Sequence, residues 1–270
     1  MNILLDLVAT QPERDLKFHG GSEYAKAVFW AIVPESRGRL YCIYDSGRYL
    51  DEDIKSYCTG NNIPLIDIMK NWELNSVIEK YTIDRFFTAL PLDKIIQKSL
   101  PVSHPVKSII VIHGLRSIEL PFDEYELKYH TGFYNGLKYL YKRFMTVKYR
   151  DGLLSRIKRL IKNYHNPTIV TVSNSSRKAL KNFIPEIPES NIHVFYSPIR
   201  DYVNVSNNDS FLLTSKLVSK KYFLLLSAGI WQKNGYRMLS DFNNLIKKDM
   251  VGGYKFVVVG ATGGLKKTFR

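Results

Sequence analysis

The chain has 270 residues, 45% of them apolar and 24% charged, with a formal net charge of +14. That length accommodates about two domains with a sizeable core. No apolar run approaches the roughly 20 residues that would span a bilayer, which argues against a transmembrane helix. The charge points to an anionic partner: a phosphorylated substrate, an anionic membrane surface or nucleic acid. Only Cys42 and Cys58 are present, without metal-ligand or redox spacing, and reduced core thiols are the reading. The start MNILLDLVAT lacks a basic leader region, so a cytoplasmic protein is expected.

Asn2–Val8 predicts a first strand, followed by a polar loop over Ala9–His19. Gly20 and Gly21 then open a helix with Ala25, Val28, Phe29 and Ile32 as its apolar positions. A strand at Leu40–Tyr44, a helix through Asp51–Tyr57, a strand at Pro64–Ile66 and a helix around Glu73–Tyr81 come next. Strands at Arg85–Thr88 and Val106–Ile112 complete this run. Strands alternating with helices predict a parallel sheet covered on both faces, a doubly wound α/β fold. The loop His113–Pro121 leads to a long helical region, Asp123–Tyr164, with a break expected near Arg150–Gly152. The strand Thr168–Val172, a helix Arg177–Phe183 opened by Asn174–Ser176, and the strand Ile192–Phe195 follow. After the polar run Asn204–Ser210, a second alternating section begins at Tyr222: a strand to Leu226, a helix to about Lys247, a strand Phe256–Val259, and a Gly-rich end at Ala261–Gly264. A three-element unit leaves sheet faces and an edge uncovered, so the second domain is expected to be incomplete as it stands. The expected division is 1–200, a linker over 201–220, and 221–270.

The stretch Phe223–Leu239 carries the sharpest chemistry. An apolar strand, a turn through Ser227, Ala228 and Gly229, and a helix starting near Lys233 and Asn234 form a corner suited to phosphate. The first amides of a helix lack partners and its dipole favours an anion there. Lys233 would add a cation for a leaving diphosphate. An ordinary strand–loop–helix unit with a solvated lysine remains open from these residues alone. In the first half, Gly20 and Gly21 allow close backbone approach or positive φ, although GxGxxG is absent. His113 directly follows a strand, at the carboxyl end where α/β proteins place ligands, and the reading of a satisfied loop histidine stays open beside it. Arg116 is suited to a phosphate or an acceptor carboxylate, and equally to a plain surface charge. Ser173 offers a hydroxyl, while Asn174 or Ser175 is the expected N-cap. His130 is read as structural or acceptor-side, and Gly260–Gly264 as a turn able to meet a nucleotide. Asp51-Glu52-Asp53 reads as an acidic first turn, and no metal site is expected. Lys138, Lys142, Arg143, Lys148, Arg150, Arg156, Lys158, Arg159 and Lys162 alternate with apolar residues over 137–162. The helices there present either a core-facing stripe with a solvated face or a cationic surface for an anionic membrane or acidic acceptor.

Several segments resemble one family, the retaining GT-B-fold glycosyltransferases of group 1 (glycosyltransferase family 4). They are His19-Gly20-Gly21-Ser22-Glu23-Tyr24, Val111–Arg116, Thr171–Ser176 with Pro188–Ile192 and Tyr196–Ile199 downstream, and Leu226–Asn234. The resemblance implies two Rossmann-like domains facing a cleft, and transfer from a UDP- or GDP-linked nucleotide-sugar used as co-substrate without cofactor or metal. It implies a glycan or lipid-linked acceptor in cell-surface polysaccharide synthesis, and a protein that is cytoplasmic or peripheral on the membrane. His113 would hydrogen-bond the donor sugar or position the reacting centre, and Lys233 would face the diphosphate. Gly20, Gly21, Arg116, Ser173, Gly229 and Asn234 would bind substrate or donor. Two departures stand out. Ile230 and Trp231 occupy the place where relatives often carry Arg, and the C-terminal Glu-x7-Glu segment lies beyond Arg270. The alternative is therefore a non-catalytic acceptor- or partner-binding fragment. A nucleic-acid-binding role rests on charge alone, since no such motif is present.

Overall fold

The computed structural model describes residues 1–12, 20–36, 38–69, 73–102, 106–130, 132–164, 166–198, 210–261 and 263–268. His19, Ile199 and the polar run up to residue 209 lie outside them. The chain forms two compact units, Met1–Glu119 with Leu153–Arg200, and Leu120–Gly152 with Asp201–Arg270. The first unit thus lacks 120–152, which the sequence reading had assigned to it.

Among the described residues, seven parallel strands build the first unit: β1 (Asn2–Asp6), β2 (Leu40–Tyr44), β3 (Leu65–Asp67), β4 (Ile83–Thr88), β5 (Lys107–Ile112), β6 (Thr168–Thr171) and β7 (Ile192–Val194), in the order 3-2-1-4-5-6-7. The order reverses between β1 and β4, so the chain fills both faces, as the doubly wound reading requires. Successive side chains of a strand alternate between faces, and the core divides accordingly. Leu4, Ile43, Phe86, Ile110 and Ile169 pack on one side, while Leu5, Cys42, Phe87, Val111 and Val170 pack on the other. Helices α1 (Gly20–Ser36) and α2 (Glu52–Gly60) cover the second side through Phe29, Val33, Ile54 and Cys58. On the first side lie α3 (Leu74–Lys80), with Leu74, Val77 and Ile78, and the later helices that contribute Leu160 and Leu180. Each such large side chain withdrawn from water contributes about 1.5–3 kcal/mol. Both cysteines are buried free thiols, as expected.

Two short helices, α4 (Lys94–Lys98), in a stretch without a reading from sequence, and α5 (Arg116–Glu119), inside the expected loop, escape notice because four or five residues are too few to display a helical period. The helical region comprises α6 (Glu126–Tyr129), α7 (Phe133–Phe144) and α8 (Thr146–Asn163). Its break falls at Met145, not near Arg150–Gly152. The Thr146 hydroxyl donates to the carbonyls of Lys142 and Arg143, closing the end of α7, whereas Gly152 is carried inside α8 despite its helix cost of about 1 kcal/mol. Then come α9 (Asn174–Phe183) and α10 (Ser210–Thr214). The N-cap of α9 is Ser173, whose Oγ accepts from the Ser176 amide at 3.0 Å, not Asn174 or Ser175. Asp51 caps α2 through the Asp53 amide, in keeping with the acidic-first-turn reading.

The second unit holds a parallel pair, β8 (Tyr222–Leu225) and β9 (Lys255–Val258), with α11 (Gly235–Lys247) and α12 (Gly263–Thr268). Tyr129, Leu225, Ala228, Trp231 and Leu265 form its core. This core explains why 120–152 joins the later residues: Tyr129 of α6 is one of its five buried members. Gly264 lies so close to α6 that a Cβ would sit 2.9 Å from the carbonyls of Lys128 and Tyr129. Close packing against a helix accounts for glycine at this position.

Candidate functional site

In the first unit, the carboxyl ends of β1, β4, β5 and β6 carry the polar groups. Asp6 ends β1 beside the point where the strand order reverses, and it is buried. Its Oδ1 accepts from the Val8 amide at 2.9 Å and its Oδ2 from the Thr88 hydroxyl at 2.7 Å. Burial in the core, against these bonds and with Asp93 nearby, pushes its carboxyl up to about 7. Burial first, and the same carboxylate second, hold the Tyr164 hydroxyl far above its usual range. Asp6, a charged residue closing an apolar strand, was the available signal in the sequence and was missed.

Gln11 ties the loop after β1 to that after β2, donating to the carbonyls of Asp45 at 2.8 Å and Arg48 at 3.2 Å and accepting from the Asp45 amide. Arg48 in turn bridges Asp45 at 3.0 Å and Asp93 at 3.4 Å. This cross-brace fixes three loops at the same edge of the sheet. None of its members was singled out from sequence, because each lies in a different segment with no shared motif.

His113 follows β5 and is half-buried. Its Nε2 lies 3.1 Å from the Ala89 carbonyl, and its ring meets Tyr24 edge-on at 5.4 Å between centroids. A carbonyl can only accept, so that contact places a proton on Nε2. The His113 carbonyl accepts from the Ser176 hydroxyl at 3.0 Å, which also lies 3.0 Å from Ser173 Oγ. The structure therefore brings His113 and Ser173 together through Ser176. Ser173 is occupied as a helix cap. Arg116 opens α5 and is exposed. Gly20 and Gly21 form the first turn of α1, and Gly20 has open space around it and no left-handed φ. The positive-φ expectation is corrected there: the glycines enter a helix directly.

In the second unit, the chain leaves β8, turns through Ser227 with φ 54°, and makes a short 3-10 turn over Trp231–Lys233. Asn234 is left-handed, at φ 59°, and α11 starts at Gly235. A Cβ at Gly235 would meet Leu225 Cδ2 at 3.2 Å and the Ala228 carbonyl at 3.3 Å, so glycine lets α11 close onto β8. The turn amides are committed internally. Ala228 donates to the Val259 carbonyl at 3.0 Å and Gly229 to the Gly260 carbonyl at 2.7 Å. The Tyr236 amide donates to the Tyr129 hydroxyl at 2.6 Å. Of the first amides of α11, that of Tyr236 is therefore taken by a side chain, and the turn amides of Ala228 and Gly229 by backbone carbonyls.

The Lys233 side chain is exposed and, among the described residues, makes no hydrogen bond or ion pair, while its amide donates to the Ile230 carbonyl at 2.9 Å. Asn234 holds the N-cap position of α11 without a side-chain cap bond; its side-chain oxygen instead accepts from Arg237 at 3.1 Å. Arg237, not singled out from sequence, also bonds Asp123 at 2.9 Å and Glu124 at 3.1 Å and lies over Tyr125. Among the described residues, no three His, Cys, Asp or Glu groups are set to hold a metal ion, and no helix is long and apolar enough to cross a membrane.

Neither a family model nor a curated protein matches the chain. Among solved structures, a glycosyltransferase from Rickettsia africae ESF-5 matches with a TM-score of 0.44 and 13% identity, over 97% of this chain and 71% of that one.

Proposed function

We propose that the chain acts in glycosyl transfer from a nucleotide-sugar, with the β8–α11 corner receiving the donor's diphosphate. The sequence likeness of four segments, in order, to retaining group-1 glycosyltransferases motivates this reading. The observation that carries it is Lys233, an exposed cation without a partner among the described residues, one residue before the left-handed Asn234 from which α11 begins. A lysine there and the positive end of a 13-residue helix both stabilise the charge that grows on a departing diphosphate. The first unit contributes the acceptor side, with His113 holding a sugar hydroxyl through its ring and acting as a positioning group rather than a general base. The acceptor is a glycan or lipid-linked glycan of cell-surface polysaccharide synthesis.

A second reading draws on the internally committed amides of Ala228, Gly229 and Tyr236, which leave the corner fewer donors than a diphosphate site commonly offers. In it, the chain binds an acceptor or a partner without chemistry. Isothermal titration with UDP- and GDP-sugars separates the two. The transferase reading expects saturable binding of one of them, and heat without saturation across the panel favours the binding fragment.

A further inference from the structure

Helix α7 is built the wrong way round for a core helix. Phe133, Leu137, Leu140, Tyr141 and Phe144 recur at three- and four-residue spacing and so share one face. That face is exposed, with Phe133 83% and Phe144 73% accessible. The opposite face is buried, and it holds Tyr139 and Lys142. Lys142 is kept there by an ion pair with the buried Glu126 and by the rings of Tyr149 and Trp231. The apolar stripe is thus not the core-facing stripe that its periodicity suggests.

We propose that this face docks on an anionic lipid bilayer, independently of what the corner at Lys233 does. Charge selects that occupant. From residue 127 to residue 150 the sequence carries six lysines and arginines and no aspartate or glutamate. Exposed Lys138 and Arg143 fall on either side of the apolar stripe, and exposed Lys148 follows at the start of α8. An apolar face of leucine and aromatic rings flanked by cations is the arrangement of a helix lying in the headgroup region. The rings enter the acyl boundary while the cations meet lipid phosphates. A protein partner of ordinary composition would not call for a segment free of carboxylates.

The test is co-sedimentation of the full chain with vesicles of phosphatidylcholine alone and of equimolar phosphatidylcholine and phosphatidylglycerol, at low and high salt. Binding is expected to the anionic vesicles only and to weaken with salt. Lys138→Ala with Arg143→Ala should weaken it roughly twenty-five-fold, at about fivefold for each charge. Phe133→Ser, Leu137→Ser and Phe144→Ser together should weaken it by at least about tenfold. If the triple variant melts early, Phe133→Ser and Phe144→Ser are read singly, each with a measurable loss. Equal binding to both vesicle types, no binding, or unchanged binding by the serine variants would overturn the proposal. So would sedimentation velocity showing a self-associated chain that the serine variants convert to monomer without any change in vesicle binding, which would assign the face to a second copy.

Discussion

Replacing Asp6 with asparagine tests whether the switch-point carboxyl is held protonated by its burial. In the folded chain its pKa stands at about 7, against 3.8 as the ordinary value. A group raised in this way favours the fold most when protonated. Its contribution is complete below about pH 4 and is lost as the pH rises through 7, because the unfolded chain then releases a proton that the folded chain retains. The rise is roughly three units, and at about 1.4 kcal/mol per unit the loss between pH 4 and pH 8 is on the order of 4 kcal/mol. Asparagine keeps an acceptor for the Val8 amide and a polar partner for the Thr88 hydroxyl, without a charge to desolvate. Urea unfolding of both proteins from pH 4 to pH 8 should give nearly equal stabilities at the acid end. By pH 8 the asparagine variant should be more stable by a few kcal/mol, with most of the divergence between pH 4 and 7. A difference that does not change with pH would refute the reasoning, as would a variant less stable at pH 8.

Three further perturbations probe the second unit. Lys142→Met leaves Glu126 as an uncompensated buried carboxylate and should cost about 3–5 kcal/mol in urea unfolding, whereas Lys142→Met with Glu126→Leu should recover most of that loss. A double variant as unstable as the single one would show that packing, not charge, makes Lys142 necessary. Gly264→Ala drives a methyl against the backbone of Lys128 and Tyr129 and should lower stability by about 1–3 kcal/mol. Gly136→Ala, with nothing within 4 Å of the added methyl, should be neutral or stabilising by thermal melting.

The parallel sheet was legible because its strands are apolar runs set between helical segments: Leu40–Tyr44 was read with its observed ends, and β1, β5 and β6 within two residues. Periodicity could locate the stripe on α7 but not its direction, since the face a helix buries depends on partners distant in sequence. Here Glu126 and Trp231 hold the Lys142 side inward. The same distance hid the assignment of 120–152 to the second unit, which depends on Tyr129 meeting Ala228 and Leu265. His113 and Lys233 were readable as residues at strand and helix ends. The engagement of His113 with Ala89 and the spent amides of the 226–230 turn were not, because backbone partners leave no mark on residue identity.

The most direct test of the account is donor turnover by Lys233→Ala, read as nucleoside diphosphate released from the UDP- or GDP-sugar that the unaltered protein uses. The account predicts a fall in kcat of about a hundredfold or more, with the melting temperature unchanged because the side chain is exposed and unpaired among the described residues. A variant that turns over donor at the unaltered rate would contradict it.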